Sequence, residues 1–388
     1  MTTSNQSNEH EQWLVELTGI PTAAGREFRV IEWVKRWVAE RPKLQMETDK
    51  IGNLMISQAA SSRSKISPVF VTAHLDHPAF VVRRVVGPQE IELEFRGGVL
   101  EPYFEKARIE VIDAQGVRHP ARLTDFDPTT KPFKTAAARL VKTGKTIREG
   151  DIARWAFSGK GSEPRCEQGL LYAHACDDLA AVAVVLAVID ALSHREGMGH
   201  VGALLTVAEE VGFVGATGAC LEGTLPGKSR MICLENSRSF PESPIGGGPV
   251  LRVGDRSSIF SPALTNRIGM ILTEYAKEHP QLRWQRKLMP GGTCEATAFG
   301  ALGYESTCLC LPLGNYHNMI DIDKVRSGGR PAKVGPEFIA LSDYHGMIEV
   351  LLVCLDQLDS ETPPVLADRI KELYFKNASV LNPQNTAG

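Results

Sequence analysis

Two glutamates, Glu209 and Glu210, stand side by side in TVAEEVGFVGA, where the apolar run GALLTV gives way to a glycine turn. Desolvating adjacent carboxylates is costly unless cations answer them, so the pair taken alone reads as a solvated strand end. Four further places change that reading. VFVTAHLDHP carries His74 with Asp76 two residues on, spaced so that the carboxylate can accept the imidazole N–H and fix the tautomer. AHACDDLAA sets Asp177 and Asp178 before a strongly apolar helix; one serves as an N-cap, which leaves the other free. RMICLEN closes on Glu235, and His317 follows STCLCLPL in LPLGNYHN. Together, two histidines and three carboxylates form a nitrogen–oxygen set suited to two divalent first-row metal ions, with zinc the default and cobalt or manganese the alternatives. Paired ions share ligands, so one carboxylate would bridge, and a glutamate left over could act as general base toward water.

Such residues need a scaffold. WLVELTGI and REFRVIEWVKRWVAERP carry helical apolar spacing, and KISPVFVTAHLDH reads as a short strand. From about Val82 to Phe157 the texture turns to short alternating segments cut by Gly, Pro and Asp, the pattern of a small antiparallel barrel or sandwich. After Gly169, strand LLYAHA, helix DDLAAVAVVLAVIDAL, strand GALLTVAEE, a helix near GATGACLEG, strand RMICLEN, helix SPALTNRIGMILTEYAKEH, strand STCLCLPL and helix DYHGMIEVLLVCLDQL follow in turn, before a polar tail, NPQNTAG. This predicts an α/β fold: a mixed, mostly parallel sheet with helices on both faces, plus an inserted β-barrel or sandwich. The expected division is a catalytic domain of residues 1–81 and 166–388, interrupted by an accessory β-rich domain over 82–165. The carboxyl rim of such a sheet is where ligands bind, and His74, the Glu pair, Glu235 and His317 all fall at strand ends of that kind.

Composition bounds the partners. The 388 residues carry a formal charge of −3, with 43% hydrophobic and 23% charged residues, and no Lys or Arg run marks a nucleic-acid or membrane surface. The start, MTTSNQSNEHEQ, is not a secretory signal, and the longest apolar stretch, AAVAVVLAVI, is too short to span a bilayer. The eight cysteines are scattered, several in apolar segments (Cys233, Cys308, Cys310, Cys354), and Cys308-Leu309-Cys310 is not a zinc-type pair. They read as small buried hydrophobes in a reducing compartment, hence a cytoplasmic protein.

At these motifs the chain resembles the tetrahedral (deblocking or glutamyl-type) aminopeptidases, a family of dinuclear zinc peptidases. The likeness covers nearly the whole chain: DKIGNLMIS, AHLDH, the β insert ending EGDIARWAF, CDDLAAVAV, AEEVGFVGA, GGTCEATAF and LPLGNYHN. Its most specific mark is the long gap between His74 and Asp177, which the β-rich block fills. The resemblance implies that Asp177 bridges two ions. It implies that His74 and Glu235 complete one site and Glu210 and His317 the other. Glu209 would be the base and proton shuttle, and Asp76 would orient His74. It further implies a peptide substrate with a free amino terminus, and assembly through the β domain into dimers and dodecamers. Three positions depart from the family pattern. His77 stands where a glutamate is usual, Glu235 where Asp is common, and the glycine–threonine turn, often followed by Asp, continues from Thr293 into Cys294 and Glu295. The first and third bear on specificity. His77 reads as an extra ligand, a pocket residue or a solvated loop residue, and His174 in AHACDD is open to the same readings.

The same site would serve an amidase or deacylase acting on N-acyl amino acids. A glycosidase would need two carboxyls flanking a sugar and leaves both histidines without a task. A non-catalytic scaffold is disfavoured because every ligand and base position is filled.

Overall fold

The computed structural model describes residues 4–59, 66–157, 162–360 and 366–381; the polar tail 382–388 lies outside them. The chain opens with α1 (Ser4–Gly19), α2 (Phe28–Ala39), a hairpin of β1 (Leu44–Thr48) and β2 (Leu54–Gln58), and β3 (Val69–His74). Six strands follow: β4 (Ala79–Gly87), β5 (Glu90–Arg96), β6 (Arg108–Ile112), β7 (Arg118–Asp127), β8 (Lys134–Leu140) and β9 (Ile152–Trp155). β10 (Arg165–Glu167) and β11 (Leu170–Ala173) lead into α3 (Cys176–Ser193). Next come β12 (Val201–Thr206), α4 (Val214–Leu221), β13 (Arg230–Arg238), β14 (Val250–Gly254), α5 (Pro262–Glu278), β15 (Gln285–Leu288), α6 (Glu295–Ala301) and β16 (Glu305–Leu313). The last elements are β17 (Met319–Ile320), α7 (Ile322–Arg326), β18 (Lys333–Val334), β19 (Glu337–Ala340), α8 (Leu341–Gln357) and α9 (Leu366–Asn377).

Eight strands form the central sheet in the order β1-β2-β12-β3-β13-β16-β14-β15. Its middle, β12-β3-β13-β16, is parallel throughout. β3 (VFVTAH) and β12 (VGALLT) are buried at every residue, as strands covered on both faces must be, which is why they read as continuous apolar runs. α3 is apolar all round because it is enclosed between the sheet and the helices α1 and α8. α2 buries one stripe only, Val30, Val34, Trp37 and Val38, at helical spacing.

Strands β4 to β9 close into a barrel in the order β4-β5-β8-β7-β6-β9. Its interior holds Phe80, Phe95, Phe104 and Trp155, with edge-to-face ring pairs at 4.8 Å (Phe80–Phe95), 4.9 Å (Phe80–Trp155) and 4.9 Å (Phe95–Phe104). The same core takes in Met319 and Val325, so the segment after His317 is seated on the barrel. Among the described residues no helix is long and apolar enough to cross a membrane. All eight cysteines are free, and six of them are buried, including Cys233, Cys308, Cys310 and Cys354.

Two local expectations need correction, the first being the cap: Ala175 precedes α3 with no side-chain cap bond, and Asp177 and Asp178 lie within the element. The strand holding Glu235 does not end there: β13 runs on to Arg238, because β16 continues beside it as far as Leu313. Strands β14 and β15 and helix α9 had no clear signal. β14 and β15 are short, and β15 (QRKL) is mostly polar.

Candidate metal centre

Parallel strands carry their carboxyl ends to one rim, and the predicted ligands meet there. His74 is the last residue of β3, Glu235 lies on β13, and Glu209 and Glu210 sit in a single 3-10 turn after β12. Asp177 heads α3, and His317 lies in a 3-10 turn beyond β16. Asp177 is central. Its Oδ1 is 3.4 Å from His74 Nε2 and its Oδ2 is 3.3 Å from His317 Nε2. Around His74 Nε2 stand Glu235 Oε1 at 3.8 Å and Glu209 Oε2 at 4.0 Å. Glu210 Oε1 lies 3.3 Å from His317 Nε2. One carboxylate thus faces two histidine–glutamate groups with a different oxygen toward each.

Both histidines turn Nε2 inward because a carbonyl fixes the other nitrogen. His317 Nδ1 donates to the Gly98 carbonyl, at the barrel's edge, over 2.6 Å. His74 Nδ1 is 3.2 Å from the Asp76 carbonyl and 3.4 Å from its Oδ1. Carbonyls cannot donate, so Nδ1 carries a proton in either state, and Nε2 is the nitrogen that would turn a lone pair to a cation at the centre once its own proton leaves. Asp76 also has a second task. Its carboxylate accepts the backbone N–H groups of Glu209 at 2.9 Å and Glu210 at 3.0 Å.

Buried acids and imidazoles shift one another strongly across this cluster. Burial alone would depress His74 and His317, yet Glu209 and Asp178 around the first, and Glu210 and Asp177 around the second, hold both well above the ordinary histidine range. Burial would raise Asp177, but the His317 and His74 imidazoles beside it pull it well below the usual carboxylate range. Glu209 is pushed well up, by burial first, with Glu210 and Glu235 adding to it against His74. Glu235 is pushed up to about 7 by burial and Asp177. Shifts in these directions belong to buried acids with few cations about them, a charge excess that bound cations would offset. Asp177 Oδ1 is fully buried without a hydrogen-bond partner. An orphaned carboxylate oxygen facing inward, two oriented imidazoles and flanking glutamates fit divalent cations, which would replace the protons.

Two buried carboxylates that position the site, Glu337 and Glu27, carried no sequence signal. Glu337 accepts the backbone N–H of Asp177 at 3.0 Å and of His317 at 2.8 Å. Glu27 accepts the N–H of Ala208 at 2.9 Å. Ala208 and His317 both have left-handed backbones, φ 54° and 53°, a conformation costing roughly 1–3 kcal/mol that persists only where neighbours over-determine it. The two buried carboxylates supply that restraint. Asp178 accepts from the His74 N–H at 3.2 Å and from Asn236 at 2.7 Å, so it supports the rim strands. Asn53, in the DKIGN motif, accepts from the Val207 N–H and donates to the Gly215 carbonyl.

His77 is neither solvated nor aimed at the centre. It is buried, with Nδ1 2.5 Å from the Asp177 carbonyl and Nε2 3.2 Å from Asn318 Oδ1. His174 is likewise buried, stacked on Phe157 with Nε2 2.9 Å from the Trp155 carbonyl. Cys294 and Glu295 begin α6 and are buried, and Glu295 Oε1 has no partner. A cleft beside Glu235 is lined by Ser237, Phe240, Arg252, Met289, Thr293 and Tyr316.

This fold and this rim of oriented imidazoles and carboxylates define a metal-dependent hydrolase. The sequence model for M42 glutamyl aminopeptidase matches residues 52–329, and the chain belongs to that family: it is a metal-dependent aminopeptidase. Solved structures share the fold. The TET aminopeptidase of a marine-sediment Thaumarchaeota archaeon is 19% identical, with 92% of this chain and 98% of that chain covered at a TM-score of 0.71. An aminopeptidase of Desulfurococcus kamchatkensis is 20% identical, with 92% and 96% covered at a TM-score of 0.68. The TET1 peptidase of Pyrococcus horikoshii, which can assemble into a tetrahedron or a large octahedral shell, is 18% identical, with 89% and 99% covered at a TM-score of 0.69.

Proposed function

We propose that this aminopeptidase removes residues from the free amino terminus of peptides with two divalent ions, zinc by default. Asp177 would be shared between the ions, with His74 and Glu235 holding one and Glu210 and His317 the other. The observation that carries this reading is the split of the Asp177 oxygens between His74 Nε2 and His317 Nε2. When bound, the ions would polarise the scissile carbonyl and make water more acidic.

The chain's own residues do the rest. Glu209 Oε2 takes the proton of the attacking water and later gives it to the leaving amine, a role for which a carboxyl with a raised pKa is suited. Asp76 holds Glu209 and Glu210 in one turn through their N–H groups and faces the Nδ1 side of His74. The buried walls of the rim keep bulk water from these groups. The barrel (expected within residues 82–165) is proposed as the accessory and assembly module, and the protein as a homo-oligomer, as the Pyrococcus horikoshii peptidase is. The eight free cysteines favour a cytoplasmic protein.

A hydrolysis panel on purified protein with its metal counted tests the reading. It compares aminoacyl anilides and peptides, free and N-acetylated, with a cellulose oligomer as control. Cleavage is expected only behind a free amine. Preference for acylated substrates would transfer the site to a deacylase.

A further inference from the structure

The turn that carries His317 brings a second side chain to the centre. Asn315, His317 and Asn318 are all left-handed, with φ of 52°, 53° and 63°. A turn of that kind persists only under firm restraint. Asn315 donates to the Pro336 carbonyl at 2.8 Å, Glu337 accepts the His317 N–H, and Asn318 donates to the His174 carbonyl at 2.9 Å. Tyr316, inside this turn, stacks its ring on the His317 imidazole, with 3.7 Å between centroids and 23° between planes. The direction of the phenol is therefore tied to that of the imidazole.

The same ring forms part of the wall of the cleft beside Glu235. Its hydroxyl lies toward Gly292, another lining residue: a Cβ on Gly292 would stand 3.8 Å from the oxygen. Burial first, then Asp177, Glu210, Glu235 and Glu209, push the phenol's pKa well up, so the group keeps its proton beside these acids. The hydroxyl has no hydrogen-bond partner among the described residues. Other donors of the cleft are engaged: Arg238 with Asp323, Arg252 with the Ser237 hydroxyl at 3.0 Å, and Thr293 with Ser257 at 2.6 Å.

The chemistry proposed for the site has a use for such a group. When water adds to the scissile carbonyl, an electron pair of the C=O bond moves onto oxygen, which gains negative charge. The carboxylates gathered at the centre repel that charge. A neutral donor held beside the oxygen in advance stabilises the transition state more than the ground state.

We propose that Tyr316 is a further catalytic residue, its hydroxyl donating a hydrogen bond to the scissile carbonyl oxygen as charge gathers there. The assignment rests on the peptidase reading above. The phenol keeps its proton throughout. Water's proton still goes to Glu209, and the leaving amine takes it when the C–N bond breaks and the carbonyl reforms.

Tyr316→Phe removes the hydroxyl and keeps a ring to lie on His317. With an aminoacyl anilide, kcat should fall about 100-fold or more while KM changes little and metal content persists. A second readout does not depend on turnover. A phosphinic dipeptide analogue, tetrahedral and anionic at the reacting position, should bind the variant more weakly by about the factor lost from kcat/KM. The parent amine, which lacks that oxygen, should bind both proteins equally; calorimetry measures both. An unchanged kcat overturns the proposal, and so does a rise in KM at constant kcat, which would make Tyr316 a wall of the binding cleft only. Loss of metal from Tyr316→Phe also overturns it, because the hydroxyl would then serve the ligands and not the substrate. Should the wild-type protein cleave no substrate with a free amine, the peptidase reading itself falls, and the proposal with it.

Discussion

Glu337 accepts the backbone N–H of His317 at 2.8 Å, and its other carboxylate oxygen accepts that of Asp177 at 3.0 Å. Residues far apart in the chain are thereby set in fixed relation by one side chain that holds both through their backbones. Glu337→Gln turns one acceptor into a donor aimed at an N–H. Metal affinity should fall about 10- to 100-fold, as when other outer-shell partners are lost. Stability should fall by about 1–3 kcal/mol for the buried mismatch. Calorimetric metal titration and thermal unfolding of the metal-free protein measure the two, and an unchanged affinity would remove the clamp from the account.

Metal stoichiometry separates the roles of the ligands. Asp177→Ala should strip both ions, because its two oxygens serve both groups. Glu235→Ala should strip one, and so should His317→Ala, each leaving the other group intact. Elemental analysis after dialysis decides this. Retention of both ions by Asp177→Ala would rule out a shared carboxylate.

Glu209 must be unprotonated to accept a proton, and burial with Glu210 and Glu235 holds its proton above the usual range. Burial, the first cause of that shift, persists when metal is bound, so the acid limb of kcat/KM should lie above the ordinary glutamate value of 4.5. Glu295 is one of the charges that raise it, so Glu295→Gln should move the limb to lower pH. Glu209→Gln should cost roughly 100- to 10,000-fold in kcat with metal content preserved. Substantial activity in that variant would move the base elsewhere.

The metal-free protein should lose stability as pH rises. Glu27, Glu235 and Glu295 are each pushed up to about 7, chiefly by burial, from an ordinary value of 4.5. A folded-state pKa above the unfolded one stabilises fully below the unfolded value and loses that contribution as pH climbs through the folded one. His74 and His317, also raised, act in the same direction, while Asp177, held low, is already ionised across this window. Thermal midpoints should fall from about pH 5 to about pH 7 without metal, and saturating zinc should flatten the fall. A rising midpoint in the metal-free protein would contradict these shifts.

The residues proposed for the site were legible because parallel strands must be apolar until their last residue, so a polar side chain at that boundary stands out; His74 and the Glu pair are examples. The barrel was legible from alternation in segments such as IELEFRG. Glu27 and Glu337 were not, because a carboxylate that accepts backbone N–H groups from a distant segment leaves no local pattern. The sequence left three readings open for His77, ligand, pocket residue or solvated loop residue, for a similar reason: its partners, the Asp177 carbonyl and Asn318, are supplied by tertiary structure. Even for Asp76, spacing revealed its approach to His74 but not its hold on the turn bearing Glu209 and Glu210.

The bond from His317 Nδ1 to the Gly98 carbonyl bears on modularity. Gly98 comes from the segment just after β5, and a loop replacing the barrel strands would restore chain continuity while removing the oxygen that sets one imidazole. The barrel is therefore no detachable cargo. A deletion that folds well could still fail as an enzyme, for want of a single peptide carbonyl.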